Sequence, residues 1–93
     1  MDIEVEMHAV TESVVLLRRG VAEKLLPDGP DAPTLLAQIQ QAASLGVKIF
    51  ACPAAMAQYG VGAEDLIDEV AEIRGAASMM YAGLQPGARF LTF

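Results

Sequence analysis

The run Val47-Lys48-Ile49-Phe50-Ala51-Cys52, held between Gly46 and Pro53, constrains this chain more than any other segment. A short, almost wholly apolar run bounded by turn residues reads as a buried strand of a parallel sheet. Parallel strands are joined by crossovers, usually helical, so the run points to an α/β domain. Both flanks supply helices. Upstream, Leu35, Leu36, Ile39, Ala42 and Ala43 form an apolar stripe against Gln38, Gln40 and Gln41, with Asp31 or Thr34 to cap it. Gly46 stands where a left-handed residue ends such a helix. Downstream, Pro53 stops the strand and takes the first position of a helical turn through Ala54, Ala55, Met56 and Ala57, where its missing N–H costs nothing.

The remaining segments fill in the order. Ile3, Val5 and Met7 alternate with Glu4, Glu6 and His8, the pattern of a strand with one wet face. Val14, Leu17, Val21 and Leu25 recur at three to four residues and predict a helix, weakened at Gly20. The stretch from Pro27 to Pro33 is a loop. After Gly60-Val61-Gly62, residues 63–70 are expected to form a helix with Glu64 and Asp65 at its start. Residues 70–74 suit either a short strand or an irregular connection. Gly75 opens a helix to about Leu84, with Ala76, Met79, Met80 and Leu84 facing inward. Gln85-Pro86-Gly87 is a turn, and residues 88–93 read as a last strand. The expected fold is α/β with a mainly parallel sheet.

Composition bounds what such a domain does. The 93 residues make a single domain over 1–93, since two cores would each be too small. A hydrophobic fraction of 54% excludes a disordered chain. It also exceeds what so small a domain can hide, which predicts a homo-oligomer. The net charge of −6, with only six Lys and Arg, argues against nucleic acid or an anionic membrane as partner. Cys52 is the sole cysteine, so no intrachain disulfide forms, and the acidic start does not resemble a signal peptide. No apolar run approaches the roughly 20 residues of a membrane helix. A cytoplasmic setting is expected. No cofactor is indicated: Gly60-Val61-Gly62 lacks the third glycine and the preceding strand of a dinucleotide site, and no phosphate loop occurs.

Ligands of open α/β sheets gather at the carboxyl ends of the strands. Cys52 is at that end of the most buried strand, directly before a helical turn whose free N–H groups favour an anionic sulfur. A thiolate there is a nucleophile, with Pro53 and Ala54 forming its immediate surroundings. The alternative is that Cys52 is a small buried apolar residue. His8, near the end of the first strand, and Tyr59, downstream of Cys52, are lesser members of the same candidate pocket. A single histidine without a second ligand at suitable spacing gives no metal site. Glu64, Asp65, Asp68, Glu69 and Glu72 form an acidic stretch, either a solvated helix face or a docking surface for a basic partner.

From Leu45 onward the sequence resembles the DsrE/DsrF-like family, the TusD/DsrE type of sulfur-relay protein among its members. The residues that carry the resemblance are Gly46 to Met56, then Tyr59-Gly60-Val61, Glu64-Asp65-Leu66-Ile67 and Gly75-Ala76-Ala77. Upstream, residues 3–10 with Leu16-Leu17 are similar to the family's second strand and following helix. The resemblance implies a three-layer α/β/α domain, usually oligomeric. It also implies that the cysteine matching Cys52 accepts a persulfide sulfur from a donor protein and hands it to an acceptor. Family members ordinarily carry a further strand and helix before the segment matching residues 3–10. Two explanations are open here: a shortened form of the family domain, or an exposed sheet edge covered by a neighbouring subunit. Two functions follow: a sulfur carrier acting through Cys52, or a non-catalytic oligomeric module that binds protein or small molecules and keeps Cys52 as a structural residue.

Overall fold

The computed structural model describes residues 4–91. Their regular elements are β1 (Glu6–Ala9), a 3-10 helix (Thr11–Leu17), α1 (Leu35–Ser44), β2 (Lys48–Ala51), α2 (Pro53–Tyr59), a short 3-10 helix (Ala63–Asp65), β3 (Val70–Ile73) and α3 (Ala76–Gly83). The three strands form one sheet in the order β1-β2-β3, parallel throughout. The α/β class expected from the sequence is therefore the fold, and the apolar run at 47–52 supplies its middle strand.

β2 is buried because both of its edges are paired and both of its faces covered. Ile49, Phe50 and Ala51 are each at most 2% exposed. Ile49 and Ala51 face the main core, which includes Val14, Leu17, Met56 and Ile67. Phe50 alternates to the other face, opposite His8 of β1 and Glu72 of β3. The register slips between Ile49 and Phe50, so Val70 pairs with Ile49 but Glu72 with Phe50. Ala71 is the extra residue of this irregularity. Burying side chains the size of Ile49 and Phe50 contributes about 1.5–3 kcal/mol each.

The helix over Leu35–Ser44 forms with Thr34 as its cap. The Ala37 N–H donates to Thr34 Oγ1 at 3.1 Å, and Asp31 takes no part. Of the apolar stripe, Ile39 is buried and the others are half-buried. Gly46 closes the turn into β2 with φ +96, and Gly60 ends α2 with φ +68. Both are left-handed positions that favour glycine.

Four expectations are corrected. The helix expected over Val14 to Leu25 is a 3-10 helix ending at Leu17, followed by turns. Val14 and Leu17 still point inward, at 0% and 3% exposure, because a spacing of three also fits a 3-10 period. Arg18 is extended and bridges Leu66 in antiparallel fashion, and Gly20 has φ +85, so the helix does not continue. The acidic helix expected over residues 63–70 is only the 3-10 turn Ala63–Asp65. Leu66 turns extended, and the Ile67 N–H donates to the Leu17 carbonyl at 2.9 Å, so the chain pairs with its neighbour rather than coiling.

The other two lie near the C-terminus. α3 forms where expected but buries nothing: Met80 and Leu84 are exposed and Met79 is half-buried. Residues 88–91 form no strand, and the rest of that expected strand, like Ile3 of the first, lies outside the described residues. A turn at Gly87 (φ +83) sends the chain back, and Phe90 packs against Gly83 of α3 instead of pairing. The undecided stretch at 70–74 is the strand β3. Met7 on β1, and Val5 just before it, stay near 40% exposed because this strand borders the sheet, whereas His8, on the side expected to be wet, is covered by Phe50.

Candidate functional site

Cys52 terminates β2 and caps α2. Its backbone N–H donates to the Ala9 carbonyl at 3.0 Å, which continues the β1–β2 ladder by one step. Its own carbonyl accepts from the Met56 N–H at 3.0 Å, the first bond of the helix. The residue therefore belongs to two elements at once, with φ −80 and ψ 122. Pro53 follows at the first helical position and has no N–H to orphan. The N–H groups of Ala54 and Ala55 belong to the first turn, where no preceding helical carbonyl can accept from them. Cys52 makes no side-chain cap, and its thiol is free.

Cys52 as a residue is half-buried. One side of Cys52 packs against the main core, while the adjoining Pro53 and Ala54 are exposed.

The other sequence-derived candidates scatter. His8 is opposite Phe50, with ring centroids 4.9 Å apart and the planes at 39°, and its Nε2 is 3.0 Å from Glu6 Oε1. Among the described residues, Glu6 is its hydrogen-bonding partner, and no hydrogen bond joins it to Cys52. Tyr59 occupies the far end of α2, about 10 Å along the axis from Cys52 at 1.5 Å per residue, and is 38% exposed. The acidic residues share no helix face. Asp65 accepts from the Gly62 N–H, Asp68 pairs with Arg19, Glu69 accepts from Gln40, and Glu72 is on β3 beside Arg74. The helix on which a solvated or docking face was expected does not form, because the chain pairs with Leu17 from Ile67 on, and its charges are spread over different partners.

Arg74 is the residue that sequence reasoning passed over. Its backbone N–H donates to the Ala51 carbonyl at 3.0 Å, which sets it at the strand ends, one residue from Cys52 in the ladder. Its guanidinium lies over the Phe50 ring, 4.7 Å from the centroid, and pairs with Glu72. A basic residue closing a strand just before Gly75 was the available signal. It required knowing that residues 70–73 pair with β2.

The order of these features matches one family. A sequence model of the DsrE/DsrF-like family covers residues 1–93. The chain belongs to the DsrE/DsrF-like family. No curated protein sequence matches it significantly. Within this family member, among the described residues, no group of three or more His, Cys, Asp or Glu side chains is placed to hold a metal ion, and no helix is long and apolar enough to cross a membrane. A shallow groove lined by Arg19, Leu66, Val70, Ala71 and Ile73 runs along β3 and does not include Cys52.

Proposed function

We propose that this DsrE/DsrF-like chain is a sulfur carrier that holds a persulfide on Cys52. The observation that carries the reading is the position of Cys52 at the junction of the middle strand and α2, half-exposed and beside the unbonded N–H groups of the first helical turn. In the reaction, the Cys52 thiolate attacks the outer sulfur of a donor persulfide. A new S–S bond forms at Cys52, the donor's S–S bond breaks, and the donor leaves as a thiolate. An acceptor thiolate then attacks the outer sulfur on Cys52, and the Cys52 thiolate is regenerated. No net oxidant is consumed. The backbone of Ala54 and Ala55 offers donors to the anionic sulfur in each state. His8, bonded to Glu6, and Tyr59, at the far end of α2, take no part in these steps, and a donor and an acceptor protein are the partners. The free thiol suits a reducing, cytoplasmic setting.

Intact-mass measurement after incubation with a persulfide donor tests the reading. The expected product gains one sulfur atom, loses it to dithiothreitol, and fails to form in Cys52→Ala. A folded protein whose thiol resists both the donor and iodoacetamide sinks it. The second reading, a structural Cys52, draws on the packing of this residue against the core and predicts that inert outcome.

A further inference from the structure

We infer that the open edge of β3 is a docking site for an extended peptide of another protein, one in which basic and apolar residues alternate. The inference does not depend on the chemistry of Cys52. It starts from the backbone. β3 pairs with β2, and among the described residues no strand pairs with its other side. The Arg74 N–H turns toward β2 and donates to the Ala51 carbonyl at 3.0 Å. Backbone groups alternate between the two edges of a strand, so those of Ile73 point to the open side. Ala71, Glu72 and Ile73 are exposed, Ile73 at 41%. A row of unpaired strand N–H and C=O groups takes up another extended chain, not a helix, whose backbone is already bonded internally.

The side chains along the edge decide what that chain carries. Val70 and Ile73 pair with Ile49 and Ala51, whereas Glu72 pairs with Phe50. Paired residues share a face, so Val70 and Ile73 are on the core side of the sheet and Glu72 is on the other. A strand added about 4.8 Å away alternates in the same way. On the core side its residues meet Val70, Ile73 and the groove that Leu66 and Ile67 line. On the opposite side they meet the Glu72 carboxylate. Apolar residues suit the first face, and Lys or Arg the second.

Charge selects among strands of this kind. From Ala63 to Ile73 the chain carries Glu64, Asp65, Asp68, Glu69 and Glu72, and no Lys or Arg. Arg18 and Arg19, which bond to this segment, and Arg74 offset three of the five, which leaves an excess of negative charge. Asp68 stands in the groove itself. A second copy pairing β3 with β3 about a twofold axis sets these carboxylates against their own kind. A basic strand is attracted instead.

Fluorescence anisotropy with a labelled peptide of about eight residues, lysine and valine alternating, reads the outcome. The full chain should bind it, and raising salt should weaken the complex. Glutamate in place of lysine should abolish binding. N-methylation of one alternate set of peptide amides should abolish it too, whereas N-methylation of the other set, whose N–H groups point away from β3, should leave it intact. Glu72→Gln and Asp68→Asn should each raise the dissociation constant about two- to fivefold, the effect of losing one exposed charge pair. Glu6→Gln, on the strand at the opposite border of the sheet, should not change it. Circular dichroism checks the fold of each variant, and the N-methylated peptides test the edge without altering the protein. No complex, equal binding of the glutamate peptide, or an equal response to both N-methylated sets overturns the inference. So does a dimer, seen by sedimentation, that excludes the peptide, because the edge then belongs to a second copy.

Discussion

The Arg74 guanidinium caps the Phe50 ring at 4.7 Å, and His8 flanks the same ring from the other side of β2 at 4.9 Å. A phenylalanine on a sheet face otherwise lined by Glu6, Lys48 and Glu72 thereby reaches 2% exposure. The cover is made by the apolar stem and flat cation of an arginine rather than by a second layer of aliphatic side chains.

Arg74→Ala should cost about 1–2 kcal/mol, combining a cation–π contact of roughly 0.5–1 kcal/mol with the loss of the stem that shields Phe50. Arg74→Lys should recover only part of this, because an ammonium lacks the planar group that stacks. Urea unfolding of the two variants checks the order wild type, Lys, Ala.

Phe50→Ala should be far more damaging, about 3–5 kcal/mol, since it opens a cavity in the middle strand. A total stability of roughly 5–15 kcal/mol for a small domain leaves little margin. Thermal unfolding monitored by circular dichroism should show a much lower or broadened transition. A shift of only a few degrees contradicts the packing described for β2.

Glycines separate backbone need from mere space. Gly60 ends α2 with φ +68, whereas Gly75 precedes α3 with φ −80, and neither has an atom within 4 Å of an added Cβ. Gly60→Ala should therefore destabilise by about 1–2 kcal/mol through the left-handed conformation alone. Gly75→Ala should be neutral or slightly stabilising, because alanine restricts the unfolded chain. Paired denaturation curves read the difference.

How far these features were legible in the sequence depends on whether their causes are local. The β2 run, the Pro53 helix start and the turns at Gly46 and Gly60 were readable because each is decided by its own residues and immediate neighbours. The spacing of Val14 and Leu17 marked one apolar face without saying whether core or a neighbouring copy covers it; both are buried in the core, a spacing of three is shared by α and 3-10 helices, and the bridge from Arg18 to Leu66 decides between them. The acidic stretch after Gly62 looked helical by charge placement. Its fate is set by the Ile67-to-Leu17 hydrogen bond, to a residue far away in the chain. Arg74 escaped notice for the same reason. Its place beside Cys52 is a matter of strand register, which alternation alone does not reveal.

Pro53 separates the preorganisation of the site from its chemistry. The ring fixes φ at the first position of α2, directly after Cys52, and gives up an N–H that no helical carbonyl would accept. Pro53→Ala should lower stability by about 0.4–1 kcal/mol, because the unfolded chain gains conformations while the native contacts of this exposed residue change little. The same substitution adds a backbone donor next to the sulfur and removes none. Alkylation of Cys52 in the folded protein, and its loading from a persulfide donor, should therefore proceed at least as fast as in the wild type. Stability and thiol reactivity move independently if the N–H groups of the first turn serve the sulfur and the proline serves only the turn. Reactivity that falls together with stability would assign the proline ring itself a part in shaping the pocket, and the account of the Ala54 and Ala55 donors would fail.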